Sequence, residues 1–345
     1  MQPDPLLYID HVRRPWPQLL LITLVFCRAL PSYAASYQYI RLGQKADAKT
    51  HPSPGIAMMG GGSDLDEVFR WLCKKADGGD FLVLRARGDD AYNPYINGLC
   101  KLNSVATLII PDRDAAQDPA VAEIIRHAEA LFIAGGDQSR YVNFWRGTPV
   151  QDAINAGLAA GKPIGGTSAG LAVLGEFSYG ALGDAPDDDD LTSGDVLRDP
   201  YFRRVTLVRN LLANPSLSGV LTDSHFAKRD RMGRSLGFLA RIMQDAWSHT
   251  PREIAIDEGS AVLLETDGRA TVVGPGKGAY FLRPTQAPEV CQPKTPLTFR
   301  NITVYRAPAG KRFDISKWSG EGGVSYSLSV EQGVIHSTQP GGNIY

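Results

Sequence analysis

Between Gly55 and Gly170 short apolar runs alternate with longer stretches whose apolar residues recur every three or four positions. "GIAMMG", "DFLVLRA", "SVATLII" and "ALFIAGG" have the length and continuous apolar character of buried strands. "DLDEVFRWLCKKA" instead places Val68, Phe69 and Leu72 on one helical face. "DPAVAEIIRHA" predicts a helix begun by Asp118 and Pro119, and "QSRYVNFWR" and "VQDAINAGLAAG" predict two more before the short strand of "KPIGG". Short apolar strands separated by helices imply a parallel sheet covered on both faces. The expected fold is therefore α/β, a three-layer α/β/α sandwich around a mostly parallel central sheet. Further on, "SGVLTDSHF" predicts a strand ending at Asp223 to His225, and "REIAIDEGSAVLLE" one ending at Asp257 and Glu258. From Pro284, "PLTFRNITVYRA" and "GGVSYSLSVEQGVIHS" predict short antiparallel strands. The domain plan is a linker over 35–54, a catalytic domain over 55–283 and a small β-rich extension over 284–345, with no internal repeat.

In parallel sheets, sites lie beyond the carboxyl ends of the strands. Four unusual loops fall there: "MGGGSD", "RARGDDAYNPY", "IAGGDQSR" and "GGTSAG". Gly60 to Gly62 lack the G-x-G-x-x-G spacing, which excludes a dinucleotide site. Residues 166–170 fit G-x-S-x-G between a short strand and a helix start, the context of a nucleophile elbow with Ser168 at its tip. Small neighbours let the backbone turn sharply there, and the following amides, that of Ala169 first, point where an oxyanion would form. An ordinary strand-to-helix turn capped by Ser168 is the alternative, which catalytic partners would exclude.

Composition is that of a soluble globular chain: 345 residues, 43% hydrophobic and a net charge of -1, with nothing to suggest nucleic acid. The N-terminus changes that picture. Arg13 and Arg14 precede the apolar run from Leu19 to Phe26, and "SYA" follows, so residues 1–34 are expected to be a cleaved signal peptide. The run is too short for a membrane anchor, so the mature chain is expected to be secreted or periplasmic and free of the membrane. Export would remove Cys27 and leave three of the four cysteines. Cys73 and Cys100 are the preferred disulfide pair, with buried free thiols as the alternative. The acidic run 187–190 reads as a solvated loop; a calcium site or a dock for a guanidinium remains open, although the EF-hand order is absent. "NIT" at Asn301 is a glycosylation acceptor only in a eukaryotic host.

A serine nucleophile needs a base, and the base an orienting acid. Of the six histidines, His225 alone stands at a strand end on the rim of Ser168, and Glu258 occupies another such end. The order Ser168, His225, Glu258 differs from the serine, acid, histidine order of α/β-hydrolases.

With "FIAGGDQ" before the elbow and "DSHFAKRDRMGR" after it, the chain from about Gly55 to Leu282 resembles the cyanophycinase branch of the S51 serine peptidases. The resemblance implies a class I glutamine-amidotransferase-like fold. It implies Ser168 as nucleophile, His225 as base and Glu258 as acid, with an oxyanion hole from the amides of Gly136 and Ala169. Gln138 matches a substrate-pocket glutamine, and Arg229, Arg231 and Arg234 match the family's basic run. Asp223 and Ser224 join these substrate residues. Two positions depart from the pattern: Ser224 stands where a glutamine is typical and Gly259 where an asparagine is common, which bears on specificity. The arginines also make independent sense, because guanidinium groups neutralise a carboxylate with paired, directional hydrogen bonds. Arg229 is the first candidate to read an aspartyl carboxylate, and a solvated helix face is the alternative.

The expected activity is hydrolysis of aspartyl amide bonds, first among them the β-Asp-Arg links of cyanophycin, without metal or organic cofactor. A dipeptidase or isoaspartyl peptidase is the rival enzyme, and a binding protein that kept the fold the non-enzymatic one. Serine at 168 excludes a cysteine-dependent amidotransferase. The partner is a peptide or cyanophycin-like substrate; a homodimer is left open.

Overall fold

A computed structural model describes residues 36–184 and 190–345. The leader expected over 1–34 and most of the acidic run, residues 187–189, lie outside the described residues. Among the described residues no helix is long and apolar enough to cross a membrane.

The first half contributes strands β1 (Gln38–Gly43), β2 (Ile56–Met59), β3 (Asp80–Arg85), β4 (Ser104–Ile109), β5 (Ala130–Ile133) and β6 (Ile164–Thr167). Five of them run parallel in the order β4, β3, β5, β6, β2, with β1 antiparallel against β4. β2, β4, β5 and β6 are buried throughout, which is why they read as unbroken apolar runs. Alternate side chains serve opposite layers. Ala57, Met59, Phe81, Val83 and Phe132 meet Val68, Phe69 and Leu72 of helix Asp66–Lys75 on one face. Met58, Leu82, Leu84, Leu131 and Ile133 meet Val121, Val142 and Ile154 of helices Pro119–His127, Gln138–Trp145 and Pro149–Ala159 on the other. The helix ends follow local rules: Asp118 accepts from the Ala120 amide at 2.8 Å ahead of Pro119, and Asp137 accepts from the Ser139 amide at 2.9 Å.

The second half supplies β7 (Phe177–Tyr179), β8 (Leu207–Arg209), β9 (Val220–Asp223), β10 (Arg252–Ile256), β11 (Ala261–Leu264), β12 (Arg269–Val273) and β13 (Ala279–Pro284). It is followed by β14 (Phe299–Ala307), β15 (Arg312–Asp314), β16 (Ser319–Glu321), β17 (Val324–Glu331) and β18 (Val334–Ser337). Hydrogen bonding divides the strands into two sheets. β11 pairs antiparallel with β2 and leads β12, β15 and β16 outward from the parallel core. The second sheet has the order β18, β17, β14, β13, β10, β9, β7, β8, with β9 parallel to both β10 and β7. The chain passes from the second sheet to the first in the turn between β10 and β11, which contains Glu258. The extension after Pro284 is β-rich as expected and adds strands to both sheets, within one compact unit over Ala35–Tyr345.

Local differences have physical causes. β1 lies inside the expected linker, and its edge position with mostly exposed side chains gives no apolar run to detect. "RARGDDAYNPY" contains the start of a helix, Tyr92–Leu99, despite its Asn, Pro and Gly residues. Buried Asn93 accounts for this: it donates to the Ile40 carbonyl at 2.9 Å and accepts from Thr107 Oγ1 at 2.8 Å, so tertiary contacts override propensity. Cys73 and Cys100 form the expected disulfide across a Cα–Cα distance of 6.2 Å, and Cys291 is free and buried.

Candidate active site

The site begins as backbone geometry. Ser168 follows β6 with φ 52° and ψ -117°, a strained conformation for a residue with a Cβ. The turn closes because its neighbours lack side chains: a Cβ on Gly166 would overlap the Gly170 backbone, and one on Gly170 would overlap the Ile133 carbonyl. Ser168 is thereby held at the carboxyl ends of the strands, its amide bonded to the Met59 carbonyl at 3.1 Å.

His225 follows β9 and also has a positive φ, 50°. Its amide donates to the Gly60 carbonyl at 2.8 Å, while the Gly259 amide donates to the Gly61 carbonyl at 2.9 Å. The "GGG" loop after β2 thus clamps the segments carrying His225 and Glu258. Sequence reasoning placed this loop on the rim but assigned it no role; its glycines were the signal.

The structure brings the three candidates together. His225 Nε2 and Ser168 Oγ lie 2.7 Å apart, and His225 Nδ1 and Glu258 Oε1 also 2.7 Å. Burial lowers the affinity of the His225 imidazole for a proton; the hydrogen bond to Glu258 opposes this, and the charges of Arg229 and Arg231 lower it further. The net direction is downward, leaving a neutral ring able to accept the Ser168 proton. Glu258 is held below the usual carboxylate range first by its hydrogen bond with His225, so it stays ionised.

Beside Ser168 opens a cleft of about 550 Å³, lined by Gly136, Gln138, Ala169, Ser224 and the three arginines, among others. Among the described residues, neither the Gly136 nor the Ala169 amide donates a hydrogen bond. Two free backbone donors therefore flank the nucleophile, as an oxyanion hole requires. Gln138 opens the helix that follows the Gly135–Gly136 turn.

The arginines divide by role. Arg234, 2% exposed, donates Nε and Nη2 to buried Asp223 at 2.9 and 2.6 Å and packs against the rings of Tyr179 and Phe238. Asp223 does not line the cleft; it serves as the counter-ion that fixes Arg234 and Arg231. A direct substrate contact by Asp223 is not what this geometry offers, because its oxygens are already used. Arg231 is also buried and donates to the Ser224 carbonyl at 3.0 Å. Arg229 is exposed, with its Nε 3.8 Å from Glu258 Oε1. Arg229 is thus the most solvated of the three, although it too lines the cleft and precedes the helix Met232–Gln244. Arg87, Arg140, Tyr179, Asp184 and Asp190 also line the cleft. Of these, Asp190 alone was singled out from sequence, as part of the acidic run 187–190; its partners here are the guanidiniums of Arg229 and Arg231.

A family model described as peptidase family S51 matches residues 100–193. The cyanophycinase of Trichormus variabilis is 29% identical over 217 residues, covering 61% of this chain and 65% of that protein. The cyanophycinase of Synechococcus elongatus is 29% identical over 236 residues, covering 64% and 66%. The chain thus spans just under two thirds of these relatives. A solved peptidase from an acI-B1 actinobacterium is 17% identical with a TM-score of 0.44, covering 66% of this chain and 90% of that one. Residues 100–193 thus match the model of peptidase family S51, and the chain is similar in sequence to cyanophycinases.

Proposed function

We propose that the chain is a serine peptidase that hydrolyses aspartyl amide bonds, with the β-Asp-Arg links of cyanophycin as its first substrate. The observation that carries this reading is the unbroken chain from Ser168 through His225 to Glu258, two contacts of 2.7 Å each, beside a cationic cleft. Ser168 Oγ attacks the amide carbonyl carbon as His225 Nε2 takes its proton. The oxyanion is received by the amides of Gly136 and Ala169, each typically worth ~3 kcal/mol in such a hole. The C–N bond breaks as His225 returns the proton to the leaving amine. A water, deprotonated by the same imidazole, then releases the acyl group from Ser168. Glu258 holds the Nδ1–H and steadies the imidazolium.

A dipeptidase or isoaspartyl peptidase is the second reading, favoured by Ser224 and Gly259 in place of the residues typical of cyanophycinases. Export belongs to the same proposal, supported by the leader-like start and the Cys73–Cys100 disulfide. Incubation with cyanophycin and with isoaspartyl dipeptides, products read by mass spectrometry, separates the readings. Ser168→Ala and His225→Ala should each abolish hydrolysis, and the double variant should be no worse than either. Near-normal turnover by Ser168→Ala would refute the mechanism.

A further inference from the structure

Asp190 closes a contact across the cleft. One oxygen, Oδ2, accepts from Arg229 Nη1 and from Arg231 Nη2, both at 3.0 Å. Arg234, which also lines the cleft, gives Nε and Nη2 to Asp223, whereas Arg229 and Arg231 each spend an N–H on Asp190. Two guanidiniums converging on a single carboxylate oxygen beside Ser168 form the arrangement that would grip the acid group of an aspartyl substrate.

We propose that Asp190 is an internal competitor at the binding site: its carboxylate stands in for the substrate's own and must be displaced for productive binding. This inference rests on the reading that the cleft takes an aspartyl carboxylate. The exchange is feasible because the Asp190 side chain is 55% exposed and water can receive it, whereas Asp223, at 3%, cannot leave. A substrate carboxylate replaces one anion by another and preserves the neutralisation of Arg231, whose side chain is only 9% exposed. A neutral amide in the same place would leave Arg231 with only Asp223, at 3.4 Å and shared with Arg234, so only a ligand that brings its own carboxylate offsets the displacement of Asp190. Asp190 is itself stabilised as an anion: burial opposes ionisation, but the charge of Arg231 and the hydrogen bonds from Arg229 and Arg231 outweigh it. The internal acid therefore stays in place at neutral pH.

The test measures binding rather than turnover. In the Ser168→Ala protein, Asp190→Ala should raise the affinity for N-acetyl-aspartate about fivefold or more by calorimetry, and should raise that for N-acetyl-asparagine by a similar factor, because both ligands displace the same carboxylate. Asp190→Asn, which keeps the shape and loses the charge, should move both quantities in the same direction, and thermal melts establish that each variant is folded. Unchanged or weaker N-acetyl-aspartate binding in both variants would overturn the inference. If the affinity rises while the enzyme with Ser168 intact cleaves no aspartyl amide, only the proposed function falls. If aspartyl amides are cleaved while the affinity is unchanged, only the role of Asp190 does.

Discussion

Gly61 lies against the imidazole of His225 so closely that a Cβ at position 61 would overlap ring atoms Cε1 and Nε2, and its φ of +93° disfavours any side chain. The ring is thus positioned from one side by bare backbone and from the other by Ser168. Gly61→Ala should displace the imidazole and lower kcat by roughly a hundredfold, the usual cost of an ångström of misplacement. Steady-state kinetics beside circular dichroism would check this, and a folded variant with normal kcat would show that the contact does not set the ring.

The pH dependence has a defined sign. Neutral His225 is the active form, and burial with the nearby arginine charges lowers its pKa, so the acid limb of kcat/KM should lie below the ordinary histidine value of about 6.5. Arg229→Ala removes one of those charges and should move the limb to higher pH, whereas Arg229→Lys should move it less. High salt should shift the limb upward in the unmodified protein, since Arg229 is exposed and its field is screened. A limb that stays fixed in Arg229→Ala would deny any electrostatic link between the two residues.

Asp223 predicts stability rather than binding. Its carboxyl lies below the usual range: full burial pushes it up, but the charges of Arg234 and Arg231 outweigh that. Its folded-state pKa is depressed, so its contribution is present above the ordinary aspartate value and is lost as pH falls through the lower, folded one. Asp223→Ala should cost roughly 3–5 kcal/mol, because Arg234 would stay buried and unpaired. Urea unfolding measures it; an unchanged midpoint with a raised KM would return Asp223 to the substrate residues.

The Cys73–Cys100 bond spans a sequence separation of 27. Replacing both cysteines with serine should cost roughly 2–4 kcal/mol, the range for loops of this size. Peptide maps of the purified protein with and without reductant would reveal the pairing, and two alkylatable thiols at these positions would refute it.

The strands of the parallel core were legible because burial on both faces demands continuous apolar runs, and Ser168, His225 and Glu258 because each terminates such a run. What escaped the sequence is what depends on distant partners. Nothing near Gly61 announces that an imidazole will rest on it. Nothing in "DRMGR" reveals that Arg234 turns inward to a counter-ion eleven positions earlier, while Arg229 remains outside. The helix Tyr92–Leu99 was hidden for the same reason, since Asn93 favours it only once Ile40 and Thr107 are in place.

Tyr345 packs edge-on against Phe226 and Tyr280 at centroid distances of 5.9 Å; its hydroxyl accepts from the Met232 amide and donates to Asp230, both at 2.9 Å. Residues 226–232 join His225 to the arginine-bearing helix, so this one aromatic side chain braces the stretch on which the base and its neighbouring cations hang. Removing the ring, as in Tyr345→Ala, would take away a prop of the catalytic rim that lies far along the chain from Ser168. A loss of turnover in Tyr345→Ala would therefore report on that prop, not on the chemistry of Ser168.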